Sequence, residues 1–157
     1  MREVPKATAR LGVEGIAWYR KNVEGVPVLS GDDQYNFFGE TGTHEFLRWL
    51  GDVFSIKTPE LKRNTIVSAM YATFGANATE AKTFWAQVAR GGLEFDDSAP
   101  STVLDTWLKT AREDRAQDLK PGSFYQGCIY AWNACREGKS VKDIKHDVRK
   151  GFHRVVG

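Results

Sequence analysis

The stretch that decides the fold is KPGSFYQGCIYAWNACREG, which runs from Lys120 to Gly138 and contains both cysteines of the chain. Its apolar residues recur at steps of three and four, as they do on the buried face of a helix. These residues are Phe124, Cys128, Ala131, Trp132 and Cys135. The pattern predicts a central buried helix that stops at Gly138, since glycine readily forms the left-handed backbone of a helix end.

Length and composition indicate one domain. The chain has 157 residues, of which 41% are apolar, enough to build a single hydrophobic core. No apolar run approaches the roughly 20 residues of a membrane span, and the N-terminal sequence lacks the apolar stretch of a signal peptide. Cys128 and Cys135 lie about 10 Å apart along the predicted helix, too far for a disulfide to each other. We expect a cytoplasmic protein with reduced cysteines and no membrane partner.

Outward from the central helix, caps and apolar stripes predict further helices. Asn77 and Glu80 have the spacing of a capping box, and Thr58-Pro59-Glu60 combines a cap, a proline and an acidic first turn. Thr43 can cap one helix, and Ser140 has capping-box spacing with Asp143 before another. The predicted helices run from Gly12 to Asn22, from His44 to Phe54, from Pro59 to about Phe74, from Asn77 to Gly91, around Val103 to Ala111, through the central stretch, and after Ser140.

No segment alternates apolar and polar residues as a half-buried strand does. The sequence therefore predicts an all-α fold, a compact single-domain bundle of six or seven short helices. This domain spans residues 10–157, and residues 1–9 form a flexible N-terminal arm.

Familiar enzyme signatures are missing from the sequence. It has no glycine-rich phosphate loop, no Gly-x-Ser-x-Gly elbow, no His-Glu-x-x-His and no Cys-x-x-Cys. His146 and His153 are the one histidine pair close in sequence, and exposed polar residues of a basic tail are the simpler interpretation. We assign no catalytic residue, no cofactor and no metal site, and enzymatic activity stays open.

The C-terminal sequence is the strongest positive signal for a binding function. From Lys139 to Gly157 there are six Lys or Arg against two Asp. The six are Lys139, Lys142, Lys145, Arg149, Lys150 and Arg154. Their spacing, three or four residues except between the adjacent Arg149 and Lys150, predicts that several share one face of the last helix and contact phosphates. The alternative is that the six cations form a solvated helix face without a partner. Three aromatics, Trp18, Tyr19 and Phe152, would stack on bases unless they belong to the core.

Trp132 and Asn133 form a pair of a different kind within the central helix. An asparagine among apolar residues needs hydrogen-bond partners. We interpret the pair as structural, with Asn133 clamping a neighbouring helix end or loop; a ligand contact is the alternative.

Part of the chain resembles a known family. Two sequence motifs carry the resemblance: Ala-Trp-Asn-Ala-x-Arg-x-Gly-x-x-Val-Lys from Ala131 to Lys142, and Ala-x-x-Phe-Trp-x-x-Val-x-x-Gly from Ala81 to Gly91. The helix predicted at Val103-Leu104 is a further point of resemblance. The chain is similar to the helical region that follows a ParB-like domain in proteins of bacteria, phages and mobile elements, over roughly residues 43–145. The ParB-like portion with its Asp-Gly-Gln-His-Arg signature is not in this sequence. The resemblance implies a phage- or plasmid-linked setting near DNA and no nuclease residue.

Together these patterns predict a non-catalytic helical protein of phage or mobile-element type. It would bind DNA, or a DNA-handling complex, through its basic C-terminal surface. The alternative is a protein-binding module, such as a phage-encoded inhibitor or regulator of a host or defence protein, which would use aromatics of the Val23 to Gly42 loop. The sequence leaves the oligomeric state open.

Overall fold

The computed structural model of the chain describes residues 4–27, 41–56, 58–91, 96–113 and 119–157. The helices in these ranges are α1 (Lys6–Asn22), α2 (Thr41–Phe54), α3 (Asn64–Ala76), α4 (Ala78–Ala89), α5 (Pro100–Glu113) and α6 (Pro121–Arg136), with a 3-10 turn at Pro59–Leu61. No strand occurs among the described residues, so the predicted all-α class is confirmed. None of these helices has both the length and the apolar character of a membrane span.

Helix α6 is the central helix that the sequence predicts. It packs against α3 and α5. Its buried side chains include Phe124, Tyr125, Cys128, Ile129, Ala131 and Trp132. The helix ends at Gly138, whose φ of 69° is left-handed, while the Lys139 amide donates to the Ala134 carbonyl at 2.9 Å. This is the Schellman arrangement that satisfies the last carbonyls of a helix.

Helix α3 packs against α6 and also contacts α1 and α4. Where α1 crosses α3, Gly15 faces Val67, and a Cβ at Gly15 would stand 2.5 Å from a Val67 methyl group. The Ser68 hydroxyl donates to the Gly15 carbonyl at this crossing. The lack of a side chain at Gly15 therefore lets the two backbones approach closely.

Helix α4 begins at the cap that the sequence predicts. The Asn77 side chain accepts a hydrogen bond from the Glu80 amide at 3.1 Å, as an N-cap residue does. Trp85 is fully buried, and its indole N–H donates to the Thr73 hydroxyl of α3 at 2.9 Å. This bond gives the buried indole the partner that it needs.

Two helix starts come earlier than predicted. Helix α1 begins at Lys6, so residues 6–9, assigned to a flexible arm, are helical. Pro5 directly precedes this start, and its fixed φ suits the entry into a helix, so proline marks the boundary here. Helix α2 begins at Thr41, so Thr43 lies buried inside the helix and not at its cap.

The predicted helix from Pro59 to Phe74 is interrupted. Pro59–Leu61 forms only a 3-10 turn, and Arg63 has extended backbone (φ −138°, ψ 134°) before α3 begins at Asn64. Leu61 is fully buried, and the Arg63 guanidinium lies 4.1 Å from the centre of the Phe124 ring. Tertiary contacts of these two side chains accompany the break, which local capping signals did not reveal.

Candidate nucleic-acid interface

The basic segment, residues 139–157, is not a helix, so the predicted last helix is wrong. The segment runs along α6 towards its N-terminal end, with Ile144 beside Gly127 and Val148 beside Gly122. It turns at residues 148–151, where Gly151 has a φ of 89° and its amide donates to the Val148 carbonyl. It then returns along α6 to its C-terminal end, where Gly157 accepts a hydrogen bond from Arg136.

Gln126 of α6 holds the turn of the basic segment. Its amide nitrogen donates to the carbonyls of Asp147 and Gly151, each at 3.0 Å. Its amide oxygen accepts from the His153 amide at 2.8 Å. Gln126 is 1% exposed, so these three bonds are made away from solvent and fix both sides of the turn.

Asn133 and Trp132 hold the returning part. The Asn133 side chain donates to the Arg154 carbonyl at 2.8 Å and accepts from the Val156 amide at 3.0 Å. The Trp132 indole donates to the Val156 carbonyl at 2.6 Å. Asn133 thus clamps a loop through both ends of its amide, and Trp132 adds a hydrogen bond to its buried packing.

These contacts give much of the backbone of the basic segment partners outside the segment. The carbonyls of Asp147, Gly151, Arg154 and Val156, and the amides of His153 and Val156, bond side chains of α6. The Val141 amide bonds the Ser98 carbonyl at 3.0 Å. Since these backbone groups find partners across the fold, the segment does not need helical bonds of its own.

The six predicted cations therefore do not lie on a helical face, but all six are exposed. Two are paired: Lys139 with Glu137 at 2.7 Å and Arg149 with Asp147 at 2.7 Å. Hydrogen bonds from Arg149 lower the pKa of the Asp147 carboxyl to about 2, so this pair is charged at neutral pH. The other four make no ion pair with any described residue; they are Lys142, Lys145, Lys150 and Arg154.

The aromatics proposed for base stacking pack inside the protein. Trp18 contacts Tyr125 and Phe152, with ring centres 5.7 and 5.9 Å apart. Tyr19 contacts Tyr71 at 5.5 Å. Phe152 thereby ties the basic segment to α1, and these rings belong to the core and its edge.

Gln126 is the residue that sequence reasoning missed. The signal was present, because a glutamine on an apolar helix face needs partners for the same reason as Asn133, seven residues later. In the sequence, Arg136 belongs to the motif that carries the family resemblance. It forms an ion pair with Glu80 at 3.2 Å and bonds the Gly157 carbonyl at 3.1 Å.

The remaining candidates for chemistry are structural or lie outside the described residues. Cys128 is fully buried, and this burial raises the pKa of its thiol, which suits a core residue and not a nucleophile. No group of three or more potential metal ligands occurs among the described residues. Tyr35, Phe37 and Phe38, the aromatics of the alternative protein-binding surface, are outside the described ranges.

No protein-family model, no curated protein and no solved structure matches this chain. The resemblance of residues 43–145 to the helical region of ParB-associated proteins therefore stays a prediction. The function has to be argued from the residues and contacts described above.

Proposed function

We propose that this protein binds DNA through the phosphate backbone, using the exposed cations of the basic segment. The observation that carries the proposal is that Lys142, Lys145, Lys150 and Arg154 are exposed, without an ion-pair partner among the described residues, on a segment fixed to α6. Phosphate contacts by lysine and arginine supply most of the affinity of non-specific DNA binding.

Fixation of the segment supports binding. Gln126 and Asn133 hold its backbone at five points. A cation on a fixed backbone loses less conformational freedom on binding than one on a flexible tail, so more of the electrostatic attraction is available as affinity.

The predicted resemblance of residues 43–145 to ParB-associated helical proteins, if true of this chain, would imply a setting near DNA, in a phage or mobile element. The alternative function, binding of a host or phage protein through the Val23 to Gly42 loop, stays a prediction. Most of that loop lies outside the described residues.

The test is a titration of labelled duplex and single-stranded DNA at low and moderate salt. We expect affinity to fall steeply with salt. Replacing Lys142, Lys145, Lys150 and Arg154 by alanine should weaken binding. The slope of log affinity against log salt should become shallower by up to about 3.6, or about 0.9 for each duplex phosphate that is no longer neutralised.

The matched control replaces four exposed cations elsewhere, Lys6, Lys21, Arg48 and Arg90. Both variants lose four positive charges from the same net charge of +2, so any effect of overall charge is equal in the two. Equal loss of affinity in the control would show that the basic segment is not the binding surface. Absence of binding at low salt would reject DNA binding altogether.

A further inference from the structure

A cavity of about 280 Å³ opens beside the basic segment, at the C-terminal end of α6. It lies between this helix end, the chain that leaves it, and the returning part of the segment. Its walls include Tyr130, Asn133, Glu137, Lys139, Ser140 and His153. The volume is near the lower limit of about 300 Å³ for small-molecule sites, which suits a single small heteroaromatic group.

Two rings form one wall of this cavity. Tyr130 and His153 have ring centres 6.2 Å apart and planes inclined by 42°. Partial burial lowers the pKa of His153, which favours its neutral imidazole. Tyrosine and neutral histidine are both platforms on which nucleic-acid bases stack.

The backbone that carries the two rings is held before any ligand binds. Tyr130 belongs to α6, and the backbone of His153 is held by Gln126 on one side and, through the Arg154 carbonyl, by Asn133 on the other. Preorganisation of this kind lowers the entropic cost of binding.

Polar groups around the cavity match the edges of a base. The Asn133 amide makes one donated and one accepted bond to the backbone, which leaves one further hydrogen and one further lone pair. The Ser140 hydroxyl can donate or accept. These groups and the rings therefore offer both stacking and hydrogen bonds.

The cations next to the cavity indicate the kind of molecule to which the base belongs. Lys142 is next to Val141 of the cavity wall, and Arg154 is next to His153; neither cation makes an ion pair with a described residue. A base that enters the cavity would bring its flanking phosphates to these cations. A paired and stacked base cannot enter, so the ligand has to be single-stranded.

We infer that this cavity receives one unpaired base of single-stranded DNA, stacked on Tyr130 and His153, while the neighbouring cations bind the phosphates. The inference rests on the proposed DNA binding and specifies its substrate as single-stranded.

The test compares a short oligothymidylate with an abasic oligonucleotide of the same length, which keeps the phosphates and lacks the bases. We expect wild-type protein to bind the oligothymidylate more tightly. Tyr130→Leu should weaken that binding by roughly 5- to 150-fold, the effect of losing one stacked base, and leave binding of the abasic strand unchanged.

Tyr19→Leu is the matched control, because Tyr19 is also half-buried but contacts Tyr71 and Tyr125 away from the cavity. It should leave both affinities unchanged, and thermal unfolding of each variant checks that it is folded. Equal, salt-sensitive binding of the two oligonucleotides by wild-type protein would overturn the stacking site and leave phosphate binding standing. Failure to bind either would overturn both.

Discussion

At the scale of single residues, the basic segment depends on two polar side chains of α6, the buried Gln126 and the half-buried Asn133. Gln126 and Asn133 are seven residues apart and both bond the backbone of the same distant segment. A buried amide is stabilising only when its donors and acceptors are satisfied. Each amide therefore specifies where the segment lies, because another position would leave it without partners.

The first prediction concerns Gln126. Replacement by leucine keeps the approximate volume but removes three hydrogen bonds, leaving the carbonyls of Asp147 and Gly151 and the His153 amide without these partners. Loss of partners for these part-buried backbone groups should lower the free energy of unfolding by about 1–3 kcal/mol. Urea denaturation followed by circular dichroism measures it.

Gln87→Leu is the control for this variant. Gln87 is half-buried, and the Ser101 hydroxyl donates to it at 3.1 Å, so the change removes this bond and none to the basic segment. Gln87→Leu should therefore lower the free energy of unfolding clearly less than Gln126→Leu does. If the two variants were equally stable, Gln126 would not hold the turn.

At the scale of elements, helices α1 and α3 cross at close range. This crossing depends on Gly15, where an added Cβ would lie 2.5 Å from a Val67 methyl group and 3.1 Å from the Asn64 carbonyl. The methyl group can move, but the carbonyl belongs to the first turn of α3. Any side chain at residue 15 therefore pushes the two helices apart.

The second prediction follows from this crossing. Gly15→Ala should lower the free energy of unfolding by about 1–3 kcal/mol through overpacking. Gly75→Ala makes the same chemical change in α3, where nothing lies within 4 Å of the new Cβ, and should raise it by up to about 1 kcal/mol because alanine favours the helix. Thermal unfolding should move the two midpoints in opposite directions; a rise for Gly15→Ala would show that the crossing has room.

At the scale of the whole molecule, the basic segment connects parts that are far apart in sequence. It bonds α6 along most of its length, its Phe152 contacts Trp18 of α1, and its His146 stacks on Trp107 of α5 at 5.4 Å. Val141 and Ile144 are buried. The segment that we propose as a binding surface is therefore also part of the folded structure.

The third prediction tests this structural role by truncation. Removal of residues 154–157 takes away the Val156 carbonyl that Trp132 bonds and both Asn133 partners. We expect the free energy of unfolding to fall by about 1–3 kcal/mol, since Trp132 is fully buried and loses its acceptor.

Removal of Gly157 alone is the control for the truncation. It takes away the carbonyl that Arg136 bonds and leaves the partners of Trp132 and Asn133 in place. It should therefore lower the free energy of unfolding less than removal of residues 154–157 does. Denaturant unfolding followed by tryptophan fluorescence compares the two forms. Identical midpoints would mean that the end of the segment does not stabilise α6.

The sequence by itself determined the helical class and the features that are local. The apolar face of Phe124, Cys128 and Trp132 identified α6, and the spacing of Asn77 and Glu80 identified the start of α4. Periodicity and capping are properties of neighbouring residues, so they can be recognised without the rest of the fold. The need of Asn133 for partners was also evident from the sequence, although the partners themselves were not.

Only the tertiary structure decided the conformation of the basic segment. The Ser140 and Asp143 spacing predicted a helix, but the backbone of residues 147–157 bonds side chains of α6 that lie 21 to 27 residues earlier. Nothing in the local sequence of the segment encodes those bonds. The exposure of its cations, and the cavity between Tyr130 and His153, depend on the same long-range contacts, which arise only when the segment folds back on α6.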